Sequence, residues 1–430
     1  MLTFQHDSWF EYDGTKYVER SKSEFETAIV EKIREEAGLD VTQQLVTSIR
    51  LASYPLVAVP NNIEAPFWIS THQSTEHLIS LQNGLINLTL LVSGEKNPLM
   101  EHTPDFFVRS SQPYPYLPSA KCPRWMQFLD YALAIDPDLQ WVMQEFYGLC
   151  LTHDMRFHAF LFLQGESRTG KGVAFEVLQA LVGWDNVSSV PLRDFGGNFG
   201  LQPMLGKKLN INAEVPELDN VAEDILKEYT GGSTMMTYHR KNKESLITKQ
   251  RARLAFSSNH YPNFKDRSEG IWNRMILIPF KNVVPEEARD PNLVSYLVEK
   301  ELAGIFNWAM EGYARLVKNG RFTDSVVMRV EREEYRDETI PVRRFLKEII
   351  VLDEGSKVTN KELYPLYTKW SKMEGHHRQN AVTFGRDTKA YFRSIDIEQK
   401  KFTGGVRGYE GVSINPEMQD EILSFDVSSY

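Results

Sequence analysis

Apolar residues occur along this chain in two patterns, short continuous runs and positions three and four apart, and each predicts a different kind of element. Helical spacing marks Glu24 to Ala37 and Thr42 to Leu51. A proline-rich stretch from Tyr54 to Pro66 follows, and Leu78 to Leu88 reads as two short strands turning at Asn83-Gly84. Pro113, Pro115 and Pro118 mark a loop, after which Pro123 to Leu151 reads as helical. From Phe157 to Phe280 the apolar runs alternate with helical patterns, which predicts an α/β core. Its expected strands are Phe157 to Leu163, Lys208 to Asn212, Arg253 to Ser257 and Met275 to Pro279, with a helix over Val173 to Val182. Pro291 to Lys318 is helical and stops at Asn319-Gly320. Helices then follow at Val342 to Ile350, Asn360 to Met373 and Thr383 to Ser394. A β-hairpin over Lys400 to Ile414 completes what reads as a winged-helix module.

At 430 residues the chain has room for two to four domains, and 42% hydrophobic with 25% charged residues is ordinary globular composition. Two cysteines, Cys122 and Cys150, form neither a disulfide framework nor a zinc site. No leader pattern or membrane-length apolar run occurs, so a cytoplasmic protein in a reducing compartment, with no membrane partner, is expected. The net charge of −9 excludes a uniformly basic nucleic-acid binder but not a local patch. Two patches stand out. Arg240, Lys241, Lys243, Lys249, Arg251 and Arg253 face only Glu244, and a second set, from Arg378 to Arg407, includes Arg386, Lys389 and Arg393 on the expected recognition helix.

The stretch from Gly165 to Val173 carries the chemistry. Gly165, Glu166, Ser167, Arg168, Thr169, Gly170 and Lys171 fit the first seven positions of a phosphate-binding loop between a strand and a helix. In such a loop glycines let backbone N–H groups turn inward around a phosphate, the lysine neutralises its oxygens, and the helix N-terminus favours the anion. ATP is therefore the expected ligand, with Gly172 and Val173 completing the candidate binding set. Phosphoryl transfer to water also needs a metal, a group that orients the water, and positive charge for the transition state. Glu214, just past the strand ending at Asn212, is the expected water-orienting carboxylate and the outer-shell partner of Mg²⁺, while Glu217 and Asp219 read as surface. Asn259, just past Ser258, is placed for the γ-phosphate or the water. Arg274, ahead of Arg267, is the preferred arginine finger.

Taken together, these motifs resemble the superfamily-three helicase core of phage and plasmid primase–helicases. The likeness rests on Gly165 to Lys171, Glu214, the basic segment Tyr238 to Lys249, Ser258-Asn259 with Pro262, and Trp272-Asn273-Arg274 before Ile278-Pro279-Phe280. Leu81 to Leu88 and Cys122 to Trp125 are similar to that family's helicase-associated domain, and Phe345 to Glu348, Leu363 to Trp370 and Gly408 to Ile414 to its winged helix. The resemblance implies an AAA+ P-loop ATPase core (153–320) flanked by a mostly helical N-terminal domain (1–152) and a C-terminal winged-helix domain (321–430). It also implies a hexameric ring with ATP at subunit interfaces, moving 3′ to 5′ on single-stranded DNA at replication forks. The family's DNA-gripping hairpin falls on Tyr238 to Lys249, which makes His239, Arg240, Lys241 and Lys243 candidate DNA contacts.

Two departures from the family pattern bear on Mg²⁺. Gly172 stands where a hydroxyl residue usually holds the metal, and Ala213 where an acid often precedes Glu214. Mg²⁺ is then expected to rest on phosphate oxygens, waters and the Thr169 hydroxyl. No primase domain has room ahead of the N-terminal region, so a primase or polymerase partner is expected, either on a longer chain or in trans. The competing expectation, from a different class, is a catalytically silent DNA-binding ring that recognises an origin or recruits a primase.

Overall fold

The computed structural model describes the chain apart from residues 39, 62, 96, 216–222, 233–234, 243, 262–263, 265–268 and 426–430. Its centre is a parallel five-stranded sheet in the order Val187–Ser188, Leu209–Asn212, Arg253–Ser258, Phe160–Gln164, Met275–Pro279. Side chains along Phe160–Gln164 divide between the two faces: Leu161 and Leu163 enter one core cluster, Phe160 and Phe162 the other. That double burial is why parallel strands read as unbroken apolar runs. The four strands expected from the sequence are present within three residues at either end. The edge strand Val187–Ser188 was not foreseen, because two residues carry no period.

Strand order creates the functional crevice. Phe160–Gln164 lies between Arg253–Ser258 and Met275–Pro279, yet the next strand in sequence, Val187–Ser188, is at the far edge. The helix Lys171–Val182 must therefore leave the middle of the sheet and cross to its edge. Connections that depart in different directions from neighbouring strands open a crevice at their carboxyl ends.

The expected helix from Pro123 to Leu151 is two helices, Pro123–Ala132 and Pro137–Leu151. Asp136 ends the break by capping the second, accepting from the Asp138 N–H, with Pro137 at the first helical position. The first is capped from far away: the buried Glu301 carboxylate accepts from the Arg124 and Trp125 N–H groups at 3.0 and 2.9 Å. Helix Pro137–Leu151 packs with Leu302–Asn319 on the face of the sheet that carries Lys171–Val182, and all three share one core. That core runs straight through the expected boundary at 152/153.

The N-terminal region holds more strand than foreseen. Leu2–Gln5, Ser8–Tyr12 and Tyr17–Arg20 form an antiparallel sheet beside helices Lys22–Ala37 and Gln43–Val57. The second helix continues past the expected end at Leu51 and through Pro55, into the proline-rich stretch. The Leu78–Leu81 and Gly84–Asn87 strands are present, but Leu81 pairs with Gly84, so the turn is Gln82-Asn83.

Helix Val326–Thr339 was also not foreseen. Met328 enters the core of the central sheet, and Tyr335 stacks on Tyr261 with centroids 4.1 Å apart. The expected boundary at 320/321 thus precedes a helix that packs with the sheet. The C-terminal unit's own core begins at Val342 and includes Phe345, Trp370, Phe392 and Tyr409. It runs Pro341–Ile349, strand Ile350–Thr359, helices Asn360–Met373 and Ala381–Ser394, then strands Lys400–Lys401 and Arg407–Ile414, with the last strand central in a three-stranded sheet. No helix among the described residues is long and apolar enough to cross a membrane.

Candidate functional site

The loop Gly165 to Gly170 sits at the carboxyl end of Phe160–Gln164, in the crevice, and its glycines are required by its path. A Cβ on Gly165 would lie 2.1 Å from the Phe280 carbonyl oxygen. One on Gly170, whose φ is +100°, would lie 2.8 Å from the Phe128 ring. Arg168 holds the left-handed region at φ 67° without being glycine, a strain that clusters at functional sites. Gly170 is the N-cap of Lys171–Val182 and offers no side-chain cap. The N–H groups of that helix's first turn have no intrahelical acceptor and point into the loop.

Lys171 and Asn259, 88 positions apart, meet here. The Lys171 ammonium donates to the carbonyls of Gly165 and Glu166 at 2.5 and 2.8 Å and to Asn259 Oδ1 at 3.1 Å. Asn259 Nδ2 donates to Ser167 Oγ at 3.3 Å. Burial lowers the Lys171 pKa from its usual value. Thr169 is buried, and its hydroxyl donates to the Glu166 carbonyl at 2.9 Å, so it holds the loop's shape.

Glu214 is exposed, at the carboxyl end of Leu209–Asn212. The chain around it is pinned to the neighbouring strand: Ser257 Oγ donates to the Ala213 carbonyl, Val215 N–H to the Ser257 carbonyl, and Ser258 Oγ to the Val215 carbonyl. Leu209–Asn212 is two strands from Phe160–Gln164, roughly 10 Å across the sheet, and Asn259 ends the strand between them. Loop, Asn259 and Glu214 therefore occupy successive strand ends. Glu217 and Asp219 lie outside the described residues.

An apolar cavity of about 370 Å³ adjoins the loop, walled by Phe128, Tyr131, Val173, Val284 and Leu293, with Arg168 at its rim. Sequence reasoning named Val173 and Arg168 among these residues and missed the others. Phe128 and Tyr131 lie about forty positions upstream, and only the packing of Pro123–Ala132 brings them to the loop.

Arg274 lies at the opposite end of the sheet. It immediately precedes Met275–Pro279, which pairs in parallel with Phe160–Gln164, so it is about 20 Å below the level of the loop. Its Nη1 donates to the Gly270 carbonyl at 2.6 Å. Arg267 lies outside the described residues.

Met235–Tyr238 and Leu246–Lys249 form a two-stranded hairpin whose first strand begins three residues before the expected Tyr238. His239 Nδ1 and Ser245 Oγ are 3.0 Å apart, and Arg240 Nε donates to the Glu244 carbonyl. Arg240 and Lys241 line a cavity against the N-terminal sheet, and Lys243 lies outside the described residues. In the C-terminal unit Arg386 and Lys389 face Lys400, Lys401 and Arg407 across a cleft, with Arg393 exposed beyond it.

Comparison with known proteins adds a fold and two segment matches. Residues 67–133 match the family described as D5 N terminal like, and residues 163–274 match a family of unknown function, DUF5906. The A form apo structure of the NrS-1 C terminal region superimposes with a TM-score of 0.54 at 12% identity, covering 95% of each chain. An apo structure of NrS-1 residues 305–718 does so with a TM-score of 0.50 at 11% identity and 96% coverage of each. At such identity the likeness is one of fold: the chain has the mixed α/β architecture of the NrS-1 C-terminal region, with a D5-like segment ahead of its parallel sheet.

Proposed function

We propose that this protein is an ATP-driven DNA helicase in the replication of a phage, plasmid or mobile element, related to the phage primase–helicases. The observation that carries the reading is the junction of Lys171 with Asn259 at an uncapped helix N-terminus, in line with Glu214. The D5-like match and the fold of the NrS-1 region support the family relationship.

These residues fit a nucleoside triphosphate. First-turn N–H groups and Lys171 suit its phosphates, and the apolar cavity beside Gly170 has the volume and lining for a base, with Phe128 or Tyr131 to stack on it. For Mg²⁺ the chain offers one carboxylate, Glu214, and this ion's habit of keeping waters and taking phosphate oxygens suits so sparse a set. Mg²⁺ supplies charge neutralisation at the phosphates. Glu214 orients the attacking water, Asn259 fixes Lys171 and reports on the γ-phosphate, and Arg274 serves the site of the next subunit in a ring. His239, Arg240, Lys241 and Lys243 contact single-stranded DNA, while the C-terminal unit, read as a winged helix, holds DNA between Arg386, Lys389 and its wing. The second reading, a silent nucleotide-binding ring that recognises an origin or recruits a primase, is favoured by the absence of a side chain at Gly172.

Steady-state ATP hydrolysis with and without single-stranded DNA separates the two. Lys171→Ala should weaken nucleotide binding. Glu214→Gln should bind ATP normally and hydrolyse it about 10²- to 10⁴-fold more slowly. Undiminished hydrolysis by Glu214→Gln removes that residue from the mechanism, and no hydrolysis by the parent protein under any condition leaves the silent ring.

A further inference from the structure

At the amino-terminal end of the central sheet, away from the phosphate loop, a cavity of about 310 Å³ lies between the N-terminal sheet and the base of the hairpin. Its walls carry seven lysine and arginine side chains against two glutamates, Glu19 and Glu64. Three residues matter most. Lys208 is 3% exposed, and its ammonium donates to a single backbone carbonyl, that of Leu151, at 3.3 Å. The Gln112 amide oxygen, in the orientation its hydrogen bonds favour, is a second neutral acceptor at 3.1 Å. No carboxylate lies within ion-pair distance of Lys208 among the described residues. His153 is 9% exposed, and its Nε2 has no hydrogen-bond partner among the described residues. Arg109 reaches in over the Phe10 ring and donates to Glu19, which Ser8 also engages.

A buried ammonium without a counter-charge is costly. Its pKa shows that cost, pushed down by burial to about 7. His153 and Arg109 are lowered for the same first reason. A buried ammonium without a counter-charge and an imidazole nitrogen without a partner, with the Glu19-paired guanidinium of Arg109 beside them, suit a compact anion with several oxygens better than a single carboxylate. A volume at the lower end of small-ligand sites admits a mononucleotide but nothing much larger.

We infer that this cavity is a second phosphate site, in which Arg109, His153 and Lys208 take a phosphate group from a nucleotide, free or within a single strand. Arg240 and Arg251 on the hairpin side complete its walls, so an occupied cavity joins the hairpin's base to the N-terminal sheet. The inference does not depend on the phosphate loop, since the two sites lie at opposite ends of the sheet.

The test uses the full chain with Lys171→Ala, so that loop binding does not contribute. Inorganic phosphate, thymidine 5′-monophosphate and a short oligothymidylate are titrated calorimetrically at constant ionic strength against a chloride control. At least one should bind, and Arg109→Gln or Lys208→Met should weaken it roughly tenfold or more, as loss of a charge-assisted hydrogen bond does. Binding of the mononucleotide or phosphate assigns a free ligand, and binding of the oligonucleotide alone assigns the strand. The proposal is overturned if none binds above the control, or if the Arg109→Gln protein binds as its parent does. Arg109 reaches solvent, so its variant decides the matter should Lys208→Met fail to fold. ATP binding with Lys171 restored reports separately on the loop.

Discussion

A side chain at Gly172 has room, since among the described residues no atom beyond its chain neighbours and its own helix backbone lies within 4 Å of where its Cβ would stand. Gly172→Ser should therefore fold, with a gain of roughly 0.5 kcal/mol from helix propensity. It should also lower the Mg²⁺ concentration for half-maximal hydrolysis by giving the metal a protein oxygen. An unchanged metal titration would mean that the loop works through phosphate and water ligands alone. Lys208 makes a second prediction at this scale. Its folded pKa of about 7 lies below the ordinary lysine value of 10.5, so between those values the unfolded chain holds a proton there that the folded chain lacks. Stability should then rise with pH across that window, and the contribution should be lost as pH falls through about 7. Urea unfolding from pH 7 to 9.5 should show a smaller rise for Lys208→Met than for the parent. The sequence pattern led to Lys171, Asn259 and Glu214 because strand ends can be read from apolar runs. It could not lead to Phe128, Tyr131 or His153, which reach their cavities only through helix packing.

Elements were legible where their period was strong and where both faces or one full face were buried. Asn360–Met373 and Met275–Pro279 match their expected bounds, and Gly320 caps its helix in the left-handed conformation. Val326–Thr339 escaped because its run of charged residues hides the few apolar contacts, Met328 and Tyr335, that seat it. Ile350–Thr359 escaped because it buries only Val358 and exposes its apolar Val351 and Leu352 along with its charged residues, so no alternation marks it. That strand completes a sheet whose last hairpin brings Lys400, Lys401 and Arg407 opposite Arg386 and Lys389. If this cleft holds duplex DNA by its backbone, Lys389→Gln and Lys401→Gln should each reduce the slope of log affinity against log salt by about 0.9. Arg393→Gln, outside the cleft, should change it less. Equal effects from all three would mean a diffuse basic face without a docking cleft.

For the whole molecule, the position of Arg274 constrains how a complete site could form. Its strand runs parallel to the loop strand, so the arginine and its own phosphate loop stand at opposite ends of one sheet. No side-chain rotation spans that distance, and a role in hydrolysis requires the loop of another copy. Arg274→Ala should then leave nucleotide binding intact and slow hydrolysis by about 10³ to 10⁵, the range for arginine fingers. A direct structural effect is the competing cause, because Arg274 also donates to the Gly270 carbonyl in the short helix Glu269–Trp272. Mixing separates the two. Lys171→Ala subunits keep an intact finger and Arg274→Ala subunits keep an intact loop, so a mixed assembly contains some interfaces with both. Hydrolysis should reappear on mixing two proteins that are each nearly inactive, and it should rise with protein concentration as assembly does. Full hydrolysis by a protein shown to be a monomer would remove both the finger and the ring. Failure to complement, with both variants assembled and folded, would leave the ring standing and move the finger to Arg267.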